Sequence, residues 1–246
     1  IVDGCRLSYA KRTYKYEHSD MADLERVLSA LPEDAGKLIV TDGVFSMGGD
    51  IAKLDAICDL AYKYGAGVLV DDAHGVGMIG EGGRGTASYF GLTDRVDMIM
   101  TTFSKSLASL GGCIAASEKI INFIRHKSRP FIFSASLPPS NAAGALAALR
   151  ILKNEPGRVE RLAANAAHMR ARLKAADIPF GASETAIVPI MTYDMIRTLK
   201  VTHMLLDRGV YVNPVLPPAV ADGQCLLRTS YTATHTKEQI DEAADI

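Results

Sequence analysis

The chain has 246 residues, of which 48% are apolar and 22% are charged, and its formal net charge is −1. This composition excludes a disordered chain, and the near-zero charge argues against a nucleic-acid or anionic-membrane partner held by bulk electrostatics. No apolar run reaches the roughly 18 residues that a membrane-spanning helix needs. The four cysteines are scattered along the chain, at Cys5, Cys58, Cys113 and Cys225. They show no C-x-x-C spacing, which excludes a zinc ribbon and favours a protein of the reducing cytoplasm.

Short apolar runs alternate with amphipathic stretches in the first two-thirds of the chain. Apolar residues at helical spacing predict a helix from Ile51 to Tyr64. The apolar runs predict four strands, at residues 38–40, 67–70, 98–100 and 113–115. Unbroken apolar strands in this order favour an α/β fold, with a mostly parallel sheet covered by helices on both faces.

The remainder of the chain has a different pattern. Two helices are predicted at 138–153 and 156–176, separated by the turn residues Asn154 to Gly157. A strand, a helix, two short strands and a final helix follow, at 186–191, 195–208, near Val210, near Leu226 and from Lys237. We therefore predict two domains, residues 1–154 and residues 155–246. The chain opens on Ile1 with neither an initiating Met nor a signal-peptide pattern, so we expect it to be part of a longer polypeptide.

A glycine cluster from Gly75 to Gly80 matches the G-x-G-x-x-G pattern of dinucleotide-binding turns. Such a turn must open a helix that meets the diphosphate, but Gly82, Gly83 and Gly85 would break that helix. Two aspartates before the turn would also repel a diphosphate. We therefore disfavour an NAD-dependent dehydrogenase and predict a flexible active-site loop.

Polar side chains follow the predicted strands where each strand ends. Residues 41–50 follow the first strand, Asp71, Asp72 and His74 follow the second, and residues 101–106 follow the third. Ligands of open α/β sheets bind beyond the carboxyl ends of the strands, and alternation along a strand lets only one of the two aspartates face a ligand. Each residue alone could be a turn cap or a surface group. Together, a carboxylate, hydroxyls and the amine of Lys105, which we expect to be partly desolvated, suit pyridoxal phosphate.

The motifs at these strand ends resemble those of the α-oxoamine synthases. These are fold-type-I pyridoxal-phosphate enzymes that join an amino acid to an acyl-CoA with loss of CO₂. The resemblance covers essentially the whole chain, with the motifs in the family's order: residues 42–50, 70–75, 102–106 and 227–236. It implies a fold-type-I transferase fold with a smaller α+β C-terminal domain, and a homodimer with the active site at the subunit interface.

The resemblance also implies a role for individual residues. Lys105 would form the Schiff base with pyridoxal phosphate and remove the substrate's Cα proton. Asp71 would pair with the pyridinium nitrogen, and His74 would bind the phenolic oxygen of the ring.

The resemblance implies further contacts with the cofactor and the substrate. Ser46 would place its hydroxyl against the ring, and Thr102 would bind the phosphate. Ser134 and Ser136 would reach the phosphate of the neighbouring subunit, and Arg228 would bind the substrate's carboxylate. No metal site is implied.

The chain also departs from the family pattern. Ala219 stands where several relatives have a threonine that touches substrate. Family members carry an N-terminal part before the equivalent of Ile1, and this part supplies a histidine stacked on the cofactor. His18 is not that histidine, because it lies in the lead-in to a helix.

The resemblance of the lysine motif to that of particular family members implies the substrates. Phe-Ser-Lys-Ser resembles serine palmitoyltransferase, which implies L-serine and palmitoyl-CoA as substrates, whereas the glycine-using relatives and the biotin-pathway enzyme tend to read Leu-Gly-Lys. The alternatives are glycine C-acetyltransferase or 8-amino-7-oxononanoate synthase activity, aminotransfer, and a non-catalytic partner subunit. The last is disfavoured because Lys105 is retained.

Overall fold

A computed structural model describes residues 1–246. The chain forms two compact units. The first contains Ile1–Gly43 and Ala52–Ile151, and the second contains Val44–Ile51 and Leu152–Ile246. The short segment 44–51 therefore belongs with the C-terminal half of the chain, which its position in the sequence does not suggest.

The first unit is built on a four-stranded sheet. Its strands follow the chain order β1-β2-β3-β4 and span Lys37–Asp42, Ala66–Asp71, Met98–Thr102 and Gly112–Ala116. The pairs β1–β2 and β2–β3 are parallel, as predicted, whereas β4 runs antiparallel to β3. The physical reason is the connection over residues 103–111, which is too short for the crossover that a parallel pair needs. Strand β4 is exposed along most of its length.

Helix α3 (Leu54–Tyr64) packs on β2 in the first unit. It begins three residues after the predicted start and ends at Gly65, whose left-handed backbone (φ 62°) terminates the helix. Its buried face is formed by Leu54, Ile57, Cys58 and Ala61. The remaining helices up to residue 154 are α1 (Val2–Leu7), α2 (Met21–Ser29), α4 (Thr86–Tyr89), α5 (Glu118–Lys127), α6 (Arg129–Phe133) and α7 (Pro139–Asn154).

The second unit is an antiparallel sheet with three helices. The strand order is β5-β7-β6, with β5 at Ile187–Tyr193, β6 at Asn213–Val215 and β7 at Cys225–Ser230. The helices are α8 (Gly157–Ala175), α9 (Met195–Asp207) and α10 (Lys237–Asp245). The predicted elements are all present, although the strand expected near Val210 begins only at Asn213. A core of Met169, Leu173, Val188 and Ile240 joins α8, β5 and α10.

None of the helices combines the length and the apolar composition that crossing a membrane requires.

Candidate active site

The residues of the first unit that are predicted to be chemically reactive lie at the ends of two neighbouring parallel strands. Asp71 is the last residue of β2 and pairs in register with Met100 of β3. Thr102 is the last residue of β3, and Lys105 follows it in the next turn. The fold therefore brings the predicted carboxylate and the predicted amine to the same edge of the sheet.

The two consecutive aspartates have different surroundings, as strand alternation predicted. Asp72 is completely buried, and its carboxylate accepts hydrogen bonds from the Thr86 amide (2.8 Å) and the Thr86 hydroxyl (2.6 Å). Burial raises the pKa of Asp72, while these two hydrogen bonds oppose the shift. Asp71 is half-buried, and its Oδ1 accepts from the Ala73 amide at 3.1 Å. Asp71 is thus the accessible carboxylate of the pair, and His74 lies half-buried in the turn that follows.

The glycine-rich segment after His74 opens no dinucleotide-binding helix, as predicted. Gly77, Gly80, Gly83 and Gly85 all have left-handed φ values between 78° and 93°, which a continuous α-helix cannot contain. The expected flexibility is not what the contacts indicate. The Gly77 amide donates to the Gly83 carbonyl (2.7 Å) and the Gly85 amide to the Ile79 carbonyl (2.9 Å), so the loop is closed by its own backbone hydrogen bonds.

The turn that carries Lys105 is tied to this loop. The Ser106 hydroxyl donates to the Val76 carbonyl at 2.7 Å. The Thr102 hydroxyl lies 3.1 Å from the Gly111 carbonyl and 2.9 Å from the Ser104 hydroxyl. Lys105 is exposed in this chain. The expected desolvation is therefore absent, because residues 103–106 form a turn beyond the sheet edge.

Asp42 is a further residue at this edge of the sheet, and the sequence analysis gave it no role. It ends β1, is half-buried, and pairs in register with Asp71. Burial raises the pKa of Asp42, and the negative charge of Asp71 raises it further, whereas the positive charge of Lys105 is among the groups that lower it. Its position at the end of a strand was the available signal, since the ends of the first and second strands must be neighbours.

The second unit contains Arg228 and Ser46. Arg228 lies on the central strand β7, half-buried, and burial lowers the pKa of its guanidinium. Its Nε donates to the Ser46 carbonyl (2.6 Å) and its Nη1 to the Ser230 hydroxyl (3.0 Å). The contact with Ser46 thus uses the backbone carbonyl, whereas the prediction concerned the hydroxyl. One nitrogen of the guanidinium, Nη2, has no hydrogen bond among those described.

The other predicted positions lie away from these two groups in sequence. Ser134 and Ser136 are exposed in the segment that follows α6. His18 is exposed and precedes α2, whose first turn is capped by the Asp20 side chain. No group of three or more His, Cys, Asp or Glu side chains that could hold a metal ion occurs in the structure.

The family model described as Aminotransferase class I and II matches residues 1–246. The chain belongs to this family. It is 50% identical over 245 residues to the serine palmitoyltransferase of Bacteroides thetaiotaomicron, covering 100% of this chain and 62% of that protein. It is 45% identical over 246 residues to the 8-amino-7-oxononanoate synthase 1 of Bacillus subtilis, again covering 100% of this chain and 62% of the relative.

A solved structure agrees with these sequence matches. The chain superposes on serine palmitoyltransferase from S. paucimobilis with a bound PLP–myriocin aldimine at a TM-score of 0.96 and 39% identity. The match covers 100% of this chain and 62% of that one. The resemblance to α-oxoamine synthases and the fold-type-I transferase fold are therefore both confirmed. The chain spans somewhat less than two-thirds of the length of these relatives.

Proposed function

We propose that the protein is a pyridoxal-phosphate-dependent acyltransferase of the α-oxoamine synthase type. The observation that carries the proposal is the placement of Asp71 and the Lys105 turn at the ends of two adjacent parallel strands, β2 and β3. The similarity to serine palmitoyltransferase and to 8-amino-7-oxononanoate synthase supports the same reaction class.

The donor set of the first unit fits pyridoxal phosphate. Lys105 offers a primary amine to bind the cofactor's aldehyde and to take the proton from the substrate's α-carbon. Asp71 would keep the ring nitrogen protonated, His74 would hold the phenolic oxygen, and the Thr102 hydroxyl would bind phosphate. When bound, the cofactor supplies a ring that delocalises negative charge from the substrate's α-carbon.

Arg228 and Ser46 of the second unit would act on the substrate and the cofactor ring respectively. A guanidinium suits a carboxylate because a hydrogen bond from a cation to an anion is charge-assisted and stronger than a neutral one. In Arg228, the hydrogen bonds to the Ser46 carbonyl and to Ser230 fix the plane of the guanidinium. This leaves Nη2 as the donor for an amino-acid carboxylate.

We infer that the reaction joins L-serine to palmitoyl-CoA. The bond that forms links the α-carbon of serine to the acyl carbonyl carbon, CoA leaves as the thiol, and the serine carboxyl leaves as CO₂. The product is 3-ketodihydrosphingosine. The Phe-Ser-Lys-Ser motif at Phe103–Ser106 and the 50% identity to a serine palmitoyltransferase favour this substrate pair. The 45% identity to an 8-amino-7-oxononanoate synthase makes that enzyme's activity the second candidate.

A matrix of substrates tests the proposal. Serine, glycine and alanine are each combined with acetyl-, succinyl-, pimeloyl- and palmitoyl-CoA, and the release of free CoA is measured. We expect serine with palmitoyl-CoA to give the highest kcat/KM, because each buried CH₂ of the acyl chain contributes about 0.8 kcal/mol. A preference for glycine with a short acyl-CoA would overturn the substrate assignment but not the reaction class. Absence of CoA release in every combination would overturn the class.

We also propose that the enzyme is a homodimer, in which Ser134 and Ser136 reach the phosphate site of the neighbouring subunit. Their exposure in the segment after α6 supports this role. The unit of Ile1–Gly43 and Ala52–Ile151 would be part of the large cofactor domain, and the unit of Val44–Ile51 and Leu152–Ile246 would be the smaller C-terminal domain. Light scattering on the purified full-length protein tests the dimer. A monomer with full activity would contradict it.

A further inference from the structure

Asp72 is a buried charged residue to which neither the motif nor the proposed reaction assigns a role. Its side chain is completely buried, and both carboxylate oxygens accept hydrogen bonds from a single residue, Thr86, which is also completely buried. A buried carboxylate is costly to keep unless its hydrogen-bonding capacity is satisfied. The two hydrogen bonds from Thr86 satisfy part of that capacity and tie Asp72 to the first residue of α4.

Three glycines enclose the Asp72 carboxylate. A Cβ atom placed on Gly43, Gly75 or Gly85 would overlap with the Asp72 carboxylate. Gly43 follows β1, Gly75 follows His74, and Gly85 precedes Thr86 and α4. The carboxylate is thus the point where the end of the first strand, the His74 turn and the far end of the glycine-rich loop meet.

The backbone of Asp72 also holds the turn that carries His74. Its carbonyl accepts hydrogen bonds from the Gly75 amide (3.0 Å) and the Val76 amide (3.1 Å), which close the turn around His74. Its amide donates to the Met100 carbonyl (2.7 Å) and so extends the pairing of β2 with β3. The Val76 carbonyl in turn accepts from Ser106, the residue after Lys105.

We propose that Asp72 is a positioning residue whose buried hydrogen bonds to Thr86 set the orientation of His74 and, through Val76 and Ser106, of the Lys105 turn. This inference rests on the proposed function, since it concerns groups that would contact the cofactor. Asp72 itself touches no reacting atom in this scheme. Its effect is transmitted through the turn, and a misplacement of about 1 Å at a reacting group can cost about 100-fold in rate.

The test compares Thr86→Val with Thr86→Ser in the cofactor-loaded full-length protein. Valine has the shape of threonine and leaves the amide hydrogen bond, but it removes the hydroxyl that donates to Asp72. Serine retains that hydroxyl. The matched control is Thr198→Val. Thr198 is equally buried and its hydroxyl is hydrogen-bonded to Thr192 and to the Asp194 carbonyl, but it lies in the second unit.

The measurements are steady-state kinetics, which give kcat and both KM values, and the pH midpoint of the visible absorbance band of the bound cofactor. We expect Thr86→Val to lower kcat by about 10-fold or more, with smaller changes in KM, and to move the pH midpoint. Thr86→Ser should restore both. Thr198→Val should lower the thermal unfolding temperature, but its pH midpoint should equal that of the wild type.

A second pair of variants, Asp72→Leu and Asp72→Asn, checks the other side of the contact. Asparagine can still accept from the Thr86 amide and donate to the Thr86 hydroxyl, whereas leucine can do neither. We expect the leucine variant to shift the absorbance midpoint more than the asparagine variant. If Asp72→Leu does not fold, the Thr86 pair decides the matter alone.

The outcomes separate this inference from the function on which it rests. A wild-type band together with a Thr86→Val variant of unchanged kcat and unchanged pH midpoint would overturn the positioning role alone. A wild-type protein that shows no visible band with added pyridoxal phosphate would overturn the proposed function and this role together.

Discussion

The two units hold their reactive side chains by different means. In the first unit, Asp71, His74 and Lys105 lie at a strand end or on the turns beyond it, where hydrogen bonds within a turn and between turns hold the chain. In the second unit, Arg228 lies within β7, between β5 and β6, so that its backbone is part of two hydrogen-bonded ladders. Only the guanidinium of Arg228 depends on individual contacts.

This difference has consequences for mutagenesis. A residue on a turn moves when a hydrogen bond of that turn is lost. In the first unit, substitutions of residues that hold the turns but contact neither cofactor nor substrate should therefore alter the reaction rate. A residue in a central strand keeps its backbone position, so around Arg228 only changes to the side chain or its direct partners should matter. The following predictions test this contrast, from the largest expected effect to the smallest.

Lys105→Ala should have the largest effect. Loss of the amine removes both the covalent attachment of the cofactor and the base for the Cα proton, and turnover should fall by orders of magnitude while pyridoxal phosphate still binds. Borohydride reduction of the wild type, followed by peptide mass mapping, should place a pyridoxyl group on Lys105. Lys127 is an exposed lysine on α5, and the control variant Lys127→Ala should keep the turnover of the wild type. An adduct on another lysine would refute the assignment.

Arg228→Ala should weaken binding of the amino acid. A hydrogen bond to a charged group contributes about 1.5–3 kcal/mol, so the KM for the amino acid should rise roughly 10- to 150-fold, with a much smaller change for the acyl-CoA. Ser230→Ala is the matched variant, since it removes one partner of the guanidinium and keeps the charge. Equal rises in both KM values would show that Arg228 is structural.

The strands and helices were easier to predict from the sequence than the contacts between the turns at the candidate site. Apolar runs and helical spacing located the strands and most long helices, because burial imposes those patterns on the chain. The antiparallel direction of β4 was missed because apolar runs have no direction. The motifs singled out Asp71, His74 and Lys105, whose roles stay predictions, but they gave no sign that Lys105 is exposed or that Ser106 is linked to Val76. Contacts between turns depend on backbone angles that residue types alone do not determine.

Ser106→Ala should have a moderate effect on activity. The hydroxyl of Ser106 donates to the Val76 carbonyl and joins the two turns, and a neutral hydrogen bond contributes about 0.5–1.5 kcal/mol. We expect kcat to fall roughly 2- to 12-fold. Ser109→Ala removes a hydrogen bond of the same length, 2.7 Å, to the Asn141 carbonyl in the same unit. Unit-wide destabilisation would make the two variants equal, whereas the proposed link requires that only Ser106→Ala slows turnover.

Asp42→Asn should have the smallest effect, on stability and its dependence on pH. Burial and the charge of Asp71 raise the pKa of Asp42 in the folded protein, so the folded state binds this proton more tightly than the unfolded chain does. The resulting stabilisation is complete below the ordinary aspartate value of about 3.9 and is lost as the pH rises through the raised folded value. At pH 7 the charged carboxylate therefore opposes folding. At pH 7 the asparagine variant should unfold at a higher temperature than the wild type, and the difference should shrink on acidification.

The measurement is thermal unfolding between pH 4 and pH 8, and the control variant is Asp94→Asn, at an exposed position. A gain for Asp42→Asn that does not change with pH would show that the carboxylate's charge is not its cause.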